Sequence, residues 1–201
     1  MSEQERWETR FRSSDYVFGK EPNAFLKSQA RRLHPGQAGL SIADGEGRNG
    51  VWLAEQGLDV LAIDFSPAAL AKARALAEER KVRLRTEVAD VTTWRWPEAA
   101  FDVVVAIFTQ VVFPAERVAF FVNLKRALKR GGFLLMQGYR VEQLTYRTGG
   151  PPEAERLYTR ALLEEAFGDM AELEIREHDS AINEGTGHVG MSALIDLIAQ
   201  K

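Results

Sequence analysis

Cysteine is absent from this chain of 201 residues, and histidine occurs only three times. Disulfides, thiolate metal sites and cysteine nucleophiles are therefore excluded, and we predict no metal site. A strong excess of either charge is also missing, because 26 basic residues stand against 29 acidic ones and the net charge is −3. Proteins that bind nucleic acid electrostatically are usually basic, so we expect no nucleic-acid partner.

Long hydrophobic runs are lacking as well. The longest apolar run, Phe101 to Phe108, is far shorter than the ~20 residues that a membrane-spanning helix needs. The first fifteen residues are polar and charged, unlike a signal peptide. The composition does not change along the chain. We therefore predict a single domain over residues 1–201, located in the cytoplasm and without membrane association.

A glycine-rich turn is the most informative feature that is present. The pattern G-x-G-x-x-G occurs at Gly45, Gly47 and Gly50, between the apolar run 39–43 and the helix-like segment 48–56. A strand, a glycine turn and a helix in this order are typical of a nucleotide-binding α/β domain. The alternative is a tight turn whose glycines only supply positive φ, and three glycines between a strand and a helix make it less favoured.

The charges of this turn indicate which type of cofactor it binds. Asp44 and Glu46 flank Gly45, where the pyrophosphate of a dinucleotide would have to lie, and Arg48 offsets only one of them. A like-charge contact at about 4 Å costs a few kcal/mol at an effective dielectric constant near 20. S-adenosylmethionine has no phosphate and a net positive charge, so an acidic turn suits it. We therefore predict S-adenosylmethionine as the cofactor.

Apolar periodicity and turn residues divide the chain into alternating strands and helices. The predicted strands are 39–43, 58–63, 82–88, 101–107, 133–139, 173–182 and 189–198. The predicted helices are 22–33, 48–56, 67–80, 114–128 and 159–167. This alternation predicts an α/β fold of the Rossmann-like, doubly wound type, with a mostly parallel sheet and helices on both faces. Ligands of such sheets bind at the carboxyl ends of the strands.

Aspartates end the first three predicted strands. Asp64 stands about twenty residues after the glycine turn, the spacing at which a carboxylate binds ribose hydroxyls. Its alternative role is at the N-terminus of helix 67–80. Asp90 would accept the adenine amine, or instead bond its own turn. Asp44 would bind the ammonium group of S-adenosylmethionine. The backbone amides of 46–49 would bind its carboxylate group. The full predicted cofactor set is Trp7, Tyr16, Asp44, Gly45, Glu46, Gly47, Arg48, Asn49, Asp64, Phe65, Asp90, Val91 and Phe108.

Several short segments match a known family. They are Trp7, Asp15–Gly19, Glu21–Asn23, Gly45–Asn49, Ala62–Asp64 and Thr148–Pro151. With them the sequence resembles the class I S-adenosylmethionine-dependent methyltransferases over nearly its whole length, and most closely the small tellurite-resistance and thiopurine methyltransferase-like branch. The resemblance implies a seven-stranded sheet whose last strand is antiparallel. It also implies methyl transfer to a small molecule, such as a thiol or another soft nucleophile of the chalcogen oxyanion type.

The sequence departs from this family at three positions. Ser41 stands where the family usually has an acidic residue, and Ala43 where it usually has glycine. Gln110 stands where relatives often carry a histidine. Asp44 would then supply the carboxylate that Ser41 lacks.

The N-terminal arm and its helix, residues 1–33, are predicted to form a lid. Trp7, Tyr16 and Phe18 lie in an otherwise polar stretch that has no core of its own, so we expect them to fold over the cofactor. The segment 139–158 follows the fifth strand and is predicted to select the acceptor.

The predicted acceptor site contains aromatic and basic residues. Phe113 and Tyr139 would line it, and Arg140 and Arg147 would anchor an anionic acceptor. Tyr146 and His188 are the predicted catalytic residues, since imidazole exchanges protons near neutral pH. The alternative for His188 is an exposed residue of the glycine-rich turn 184–188.

Two other functions fit parts of the pattern. An NAD-dependent oxidoreductase would use the same glycines and Asp64, but the pair Tyr16 and Lys20 lies ahead of the glycine turn, on the wrong side of the fold for such an enzyme. A non-catalytic binding module would account for Ser41 and Ala43. We predict a small-molecule partner and a monomer or homodimer.

Overall fold

The computed structural model describes residues 3–201, and Met1 and Ser2, with which the predicted arm begins, lie outside the described residues. The chain divides into two compact units, one formed by residues up to Trp94 together with 184–187 and the other by 95–183 together with 188–201. No helix of residues 3–201 combines the length and the apolar character that crossing a membrane requires.

Seven strands and seven α-helices make up the described chain. The strands are β1 (Ala38–Ile42), β2 (Asp59–Asp64), β3 (Leu84–Val88), β4 (Phe101–Ile107), β5 (Leu128–Tyr139), β6 (Glu172–Glu184) and β7 (His188–Gln200). The helices are α1 (Glu3–Phe11), α2 (Ala24–Ser28), α3 (Arg48–Glu55), α4 (Pro67–Glu79), α5 (Pro114–Ala127), α6 (Gln143–Tyr146) and α7 (Arg160–Phe167). The strands form one sheet in the order β3-β2-β1-β4-β5-β7-β6, which confirms the predicted fold class.

In the first unit, β1, β2 and β3 are parallel. Ile42 pairs with Ile63, and Asp64 pairs with Val88, so the three strands end at one edge. Leu40, which is fully buried, belongs to the core under this edge. Ser66 caps α4 by accepting the backbone N–H of Ala69, as its position before a proline predicts.

In the second unit, β4 pairs with β5 in parallel and β5 pairs with β7 in antiparallel fashion. The antiparallel β7 confirms the implication of the family resemblance. Val103 and Val104 are both fully buried although they point to opposite faces of β4. Both faces of this strand are therefore covered, as its continuous apolar run predicts.

The predicted helix 22–33 was wrong. Asn23 accepts the backbone N–H of Leu26, so α2 begins only at Ala24 and Pro22 lies outside it. The N–H of Gln29 bonds to the carbonyl oxygen of Leu26, which tightens the last turn, and a short 3₁₀ turn follows at 30–32.

The glycine pair Gly131-Gly132 does not lie in a loop between helix and strand. Strand β5 already begins at Leu128, and its pairing with β4 shifts between Phe101 and Val103. Gly131 takes a φ of 79°, which an irregular strand of this kind accommodates at glycine. The segment 139–158 also contains structure that the sequence did not indicate, namely α6 and a 3₁₀ turn at 154–156.

Candidate functional site

The glycine turn joins β1 to α3 through left-handed backbone. Ala43, Gly45 and Gly47 have φ values of 47°, 58° and 91°. A Cβ at Gly47 would lie 2.6 Å from the Cα of Ala73 in α4, so glycine is required there for packing as well as for φ. Ala43 holds its left-handed conformation with a side chain, a strain of about 1–2 kcal/mol.

Asp44 closes this turn from inside. It is only 7% exposed, and its carboxylate accepts the hydroxyl of Ser41 at 2.5 Å and the backbone N–H of Gly50 at 3.0 Å. Burial raises the pKa of Asp44, although these hydrogen bonds act in the opposite direction. The carboxylate of Asp44 is therefore bonded inside the turn, and its predicted contact with a donor ammonium in place of the family's acid stays a prediction.

Glu46 is also turned into the protein. Its carboxylate pairs with Lys72 at 2.8 Å, where both side chains are largely buried, and also accepts the backbone N–H of Phe18 at 3.4 Å. The prediction that only Arg48 offsets the two acids of the turn was wrong, because Lys72 pairs with Glu46 whereas Arg48 pairs with Glu184. The reason is that folding brings a lysine from α4 to the turn, which the local sequence does not reveal.

Asp64 ends β2 directly beside the turn. Its two oxygens accept the backbone N–H groups of Gly45 and Ser66, each at 2.9 Å. Burial raises the pKa of Asp64 to about 6. An ionised carboxylate has about four acceptor positions, so two remain for a ligand diol. The bond from Ser66 shows the alternative role of Asp64 at the N-terminus of α4, and its contact with a ribose stays a prediction.

Asp90 has the turn geometry that was its alternative interpretation. It is exposed, and its Oδ1 accepts the backbone N–H of Thr92 at 2.9 Å and the Thr92 hydroxyl at 2.7 Å. The following residue, Val91, is buried. Phe65 is half-buried after β2, and its carbonyl oxygen accepts the side-chain amide of Gln4 at 3.4 Å. The adenine contacts of these residues stay predictions.

The aromatic arm packs onto the glycine turn. The rings of Trp7, Phe11 and Phe18 form one cluster, with centroids 5.5–6.3 Å apart. The ring of Phe11 lies 3.6 Å from the position that a Cβ of Gly45 would take. Tyr16 donates its hydroxyl to the carbonyl oxygen of Lys72 at 3.0 Å. The predicted arm residues are therefore brought to the turn, where α1 and the cluster give the arm a small core.

Arg48 is the first residue of α3 and is only 6% exposed. Its Nη2 donates to Glu184 at 2.7 Å, while its Nη1 is buried and has no hydrogen-bond partner among residues 3–201. Asn49 accepts the backbone N–H of Asn23 at 3.0 Å. The sequence missed Glu184 because 136 positions separate it from Arg48.

In the second unit, three predicted residues form a cluster. Phe108 stacks on Tyr139 with ring centroids 4.7 Å apart, and His188 meets the two rings edge-on at 4.5 and 5.8 Å. Phe108 has a left-handed φ of 54°, as residues at strand ends near functional sites often do. His188 is only 8% exposed at the start of β7, so the alternative of an exposed turn histidine is excluded.

Gln110 has a positioning role beside this cluster. Its side-chain amide donates to the backbone carbonyl of Tyr139 and accepts the backbone N–H of the same residue, both at 2.8 Å. Arg156, which the sequence did not indicate, donates to the carbonyl oxygen of Gln110 at 3.0 Å, and its guanidinium lies 4.6 Å from the ring centre of Phe113. Gln110 thus fixes the backbone at Tyr139.

Two of the remaining predicted residues bind the carboxylate of Asp179, and a third lies at the surface. Arg140 and Tyr146 both donate to the carboxylate of Asp179, the tyrosine at 2.9 Å. That hydrogen bond raises the pKa of Tyr146, so the phenol keeps its proton at neutral pH and is not available there as a base. Arg147 follows the last residue of α6 and is exposed, with a φ of 55°. Arg140 is thus already paired with Asp179.

Comparison with known proteins identifies relatives of this chain. A family described as methyltransferase domain matches residues 40–132. A phosphoethanolamine N-methyltransferase of Triticum aestivum is 32% identical over 124 residues, which cover 61% of this chain and 23% of that protein. A glycine/sarcosine N-methyltransferase of Parasynechococcus marenigrum (strain WH8102) is 30% identical over 118 residues, which cover 55% of this chain and 41% of that protein. The chain therefore spans less than half the length of these curated relatives.

Among solved structures, TehB from Haemophilus influenzae has the same fold. The two superpose with a TM-score of 0.71 at 16% sequence identity, covering 98% of this chain and 66% of TehB. The matched segment 40–132 runs from β1 into β5 and contains the glycine turn and Asp64. Over residues 40–132 the chain is therefore similar to a methyltransferase domain, which agrees with the family that the sequence predicts.

Proposed function

We propose that this protein transfers the methyl group of S-adenosylmethionine to a small-molecule acceptor. The observation that carries the proposal is the pair Asp64 and Arg48 at the glycine turn, one with acceptor positions to spare and the other with a buried donor atom that has no protein partner in residues 3–201. A nucleoside with an amino-acid tail has the complementary groups, a ribose diol and a carboxylate.

Each part of the donor is matched by a different group. The carboxylate of Asp64 takes the ribose hydroxyls through its two remaining acceptor positions. The Nη1 of Arg48 and the backbone amides that open α3 take the methionine carboxylate, because a helix N-terminus and a guanidinium both favour an anion. Phe65, Asp90 and Val91 are proposed to surround the adenine.

The donor, when bound, supplies a methyl group that its positively charged sulfur has already activated. The protein then contributes chiefly by orientation, for which well-placed reactants gain roughly 7–11 kcal/mol. We assign the acceptor side to Phe108, Tyr139 and His188 of the second unit, whose rings pack against one another. Gln110 holds the backbone of Tyr139 from both sides, which keeps this cluster in place.

A small amine is the acceptor class that we propose first. A neutral amine that attacks a methyl group must lose a proton, and His188 supplies an imidazole to receive it. The two curated relatives named above are N-methyltransferases, which supports this choice. A thiol or another soft nucleophile, the acceptor implied by the family resemblance, would react as an anion and would need no base; it stays a prediction.

One titration tests the donor. S-adenosylmethionine and NAD are compared on the same sample by calorimetry, and we expect saturable binding of S-adenosylmethionine alone. Binding of NAD instead would favour the oxidoreductase alternative. Binding of S-adenosylmethionine without methyl transfer to any acceptor would favour the non-catalytic module.

A second assay identifies the acceptor class. Transfer of a labelled methyl group is measured with phosphoethanolamine, glycine, a simple thiol, selenite and tellurite. Turnover with the amines and none with the thiol or the oxyanions would support an amine as the acceptor class. Turnover with the soft nucleophiles alone would overturn the amine proposal and leave the donor assignment standing.

A further inference from the structure

A buried polar network links three distant segments of the first unit. Glu184 precedes the turn after β6, and its carboxylate accepts the Nη2 of Arg48 at 2.7 Å and the side-chain amide of Asn23 at 3.0 Å. The Arg48 and Glu184 side chains are only 7% and 10% exposed. The backbone N–H of Asn23 donates in turn to Asn49 at 3.0 Å. The network therefore ties the turn after β6 to the first two residues of α3.

The backbone of this turn is held independently of the Glu184 side chain. The N–H groups of Thr186 and Gly187 both donate to the carbonyl oxygen of Val17, at 2.8 and 3.0 Å. A Cβ at Gly185 would lie 2.4 Å from the same oxygen, so the arm and the turn are in close contact. Removing the carboxylate of Glu184 therefore leaves the attachment of the turn in place.

The second hydrogen-bond donor of the Arg48 guanidinium, Nη1, indicates the function of this network. Buried polar groups in native proteins nearly always have a hydrogen-bond partner, yet Nη1 of Arg48 has none among residues 3–201. An acceptor that comes with a ligand would satisfy it. A carboxylate is the acceptor that best matches a guanidinium.

We propose that Glu184 is a positioning residue for the methyl donor. It balances the charge of Arg48 and fixes its guanidinium, so that Nη1 binds the carboxylate of the methionine part. Without this acid, the buried cation would lose its partner and move toward water. The inference rests on the proposed function and adds a residue that lies outside the family match at 40–132.

The test separates the two ends of the donor. S-adenosylhomocysteine carries the nucleoside and the amino-acid tail, whereas 5′-methylthioadenosine carries the nucleoside and lacks the tail. Calorimetry of Glu184→Ala should show S-adenosylhomocysteine bound at least about tenfold more weakly, because one buried charge has lost its partner. The affinity for 5′-methylthioadenosine should stay within about twofold, because Arg48 contacts only the missing tail.

Two further variants keep the test independent of folding. Glu184→Gln retains one acceptor oxygen and should fall between the wild type and Glu184→Ala. Arg48→Lys keeps a cation beside Glu184 but removes the planar fork, so it should also weaken S-adenosylhomocysteine selectively. Glu177→Ala is the matched control, because Glu177 lies on the same strand and pairs with Arg160 at 3.0 Å near the surface.

The outcomes separate this proposal from the function on which it rests. An unchanged affinity for S-adenosylhomocysteine in Glu184→Ala and Glu184→Gln, or an equal loss for both ligands, would overturn the positioning role. A wild-type protein that binds neither ligand would overturn the proposed function itself.

Discussion

The hydroxyl of Ser41 donates a hydrogen bond of 2.5 Å to Asp44, and the same carboxylate accepts the backbone N–H of Gly50 at 3.0 Å. The family usually places an acid at the position of Ser41. In this chain the carboxylate stands three positions later and reaches back into the turn. That this serine and aspartate together replace the acid of the family stays a prediction.

This exchange predicts unequal effects of the two residues on stability. Asp44→Ala leaves the N–H of Gly50 and the hydroxyl of Ser41 without an acceptor, so the free energy of unfolding should fall by about 1–3 kcal/mol. Ser41→Ala removes one hydrogen bond and leaves the other in place, so its effect should be smaller, near 1 kcal/mol. Urea unfolding of both variants measures the difference, and equal effects would show that the carboxylate does not organise the turn.

Ala43 gives a prediction of the opposite sign. Its φ of 47° is strained for any residue with a Cβ, so Ala43→Gly should raise the free energy of unfolding by about 1 kcal/mol. The matched control is Ala54→Gly in α3, which should lower it by about 0.5–1 kcal/mol because glycine is unfavourable inside a helix. If both changes destabilise the protein to the same degree, the backbone at Ala43 is not strained.

Asp64 predicts a dependence of stability on pH. Burial raises its pKa from 3.8 to about 6, so the folded state binds this proton more tightly than the unfolded state does. Stability from this group is therefore fully present below pH 4 and is lost as the pH rises to about 6, by up to roughly 3 kcal/mol. Asp64→Asn should lack this loss, and Asp59→Asn, at the exposed start of the same strand, should keep it. If the free energy of unfolding depends on pH in the same way in the wild type and in Asp64→Asn, burial does not raise the pKa of Asp64.

The same carboxylate predicts how donor affinity changes with pH. A protonated Asp64 offers fewer acceptor positions to the ribose diol, so the affinity for S-adenosylmethionine should fall as the pH is lowered from 7.5 through 6. Asp64→Asn should bind about tenfold more weakly at pH 7.5 and should show a flatter profile. Calorimetry at several pH values measures both effects, and an unchanged affinity in Asp64→Asn would remove the residue from the donor site.

The proposed role of His188 as a general base predicts that its removal lowers the rate of methyl transfer and leaves the binding of the methyl donor unchanged. His188→Ala should lower kcat for an amine acceptor by about 10²-fold, the lower end for a lost general base, while the affinity for S-adenosylmethionine stays constant. His34→Ala, an exposed histidine, is the control. Full activity of His188→Ala would exclude the histidine as a base and would favour an acceptor that reacts as an anion.

The proposed lid function of the N-terminal arm predicts that removing the arm weakens binding of the methyl donor. Deletion of residues 1–20 removes the cluster of Trp7, Phe11 and Phe18 that packs at the glycine turn, so S-adenosylmethionine should bind more than about tenfold more weakly. Tyr16→Phe, which removes only the hydrogen bond to Lys72, separates the hydroxyl from the rest of the arm. An unchanged affinity after the deletion would exclude a lid.

Local patterns in the sequence were sufficient for most of the fold. The apolar run of β4 and the start of α4 at Pro67 each depend on neighbours in the chain, and both elements were predicted. The helix predicted for 22–33 was too long, because the asparagine cap delays its start to Ala24 and the helix ends at Ser28, before a 3₁₀ turn. Short helices have few residues in their pattern, so one cap outweighs the periodicity.

The site was predicted less completely than the fold. The position of Asp64 beside the glycine turn could be predicted because β2, a local feature, fixes its spacing from the glycines. The ion pair of Glu46 was not predicted, because its partner Lys72 comes from the face of α4 that packs on the turn. Charge counted along a sequence says nothing about which charges folding will neutralise.

By itself, the sequence determined the alternation of strands and helices, the glycine turn and the acids at the strand ends, since each of these follows from residues a few positions apart. Only the tertiary structure decided that Asp44 faces into the turn, that His188 packs against Phe108, and that Glu184 meets Arg48 across 136 positions. The reason is physical: the partners of a buried polar group are set by which surfaces the core brings together, and this depends on the packing of the whole unit.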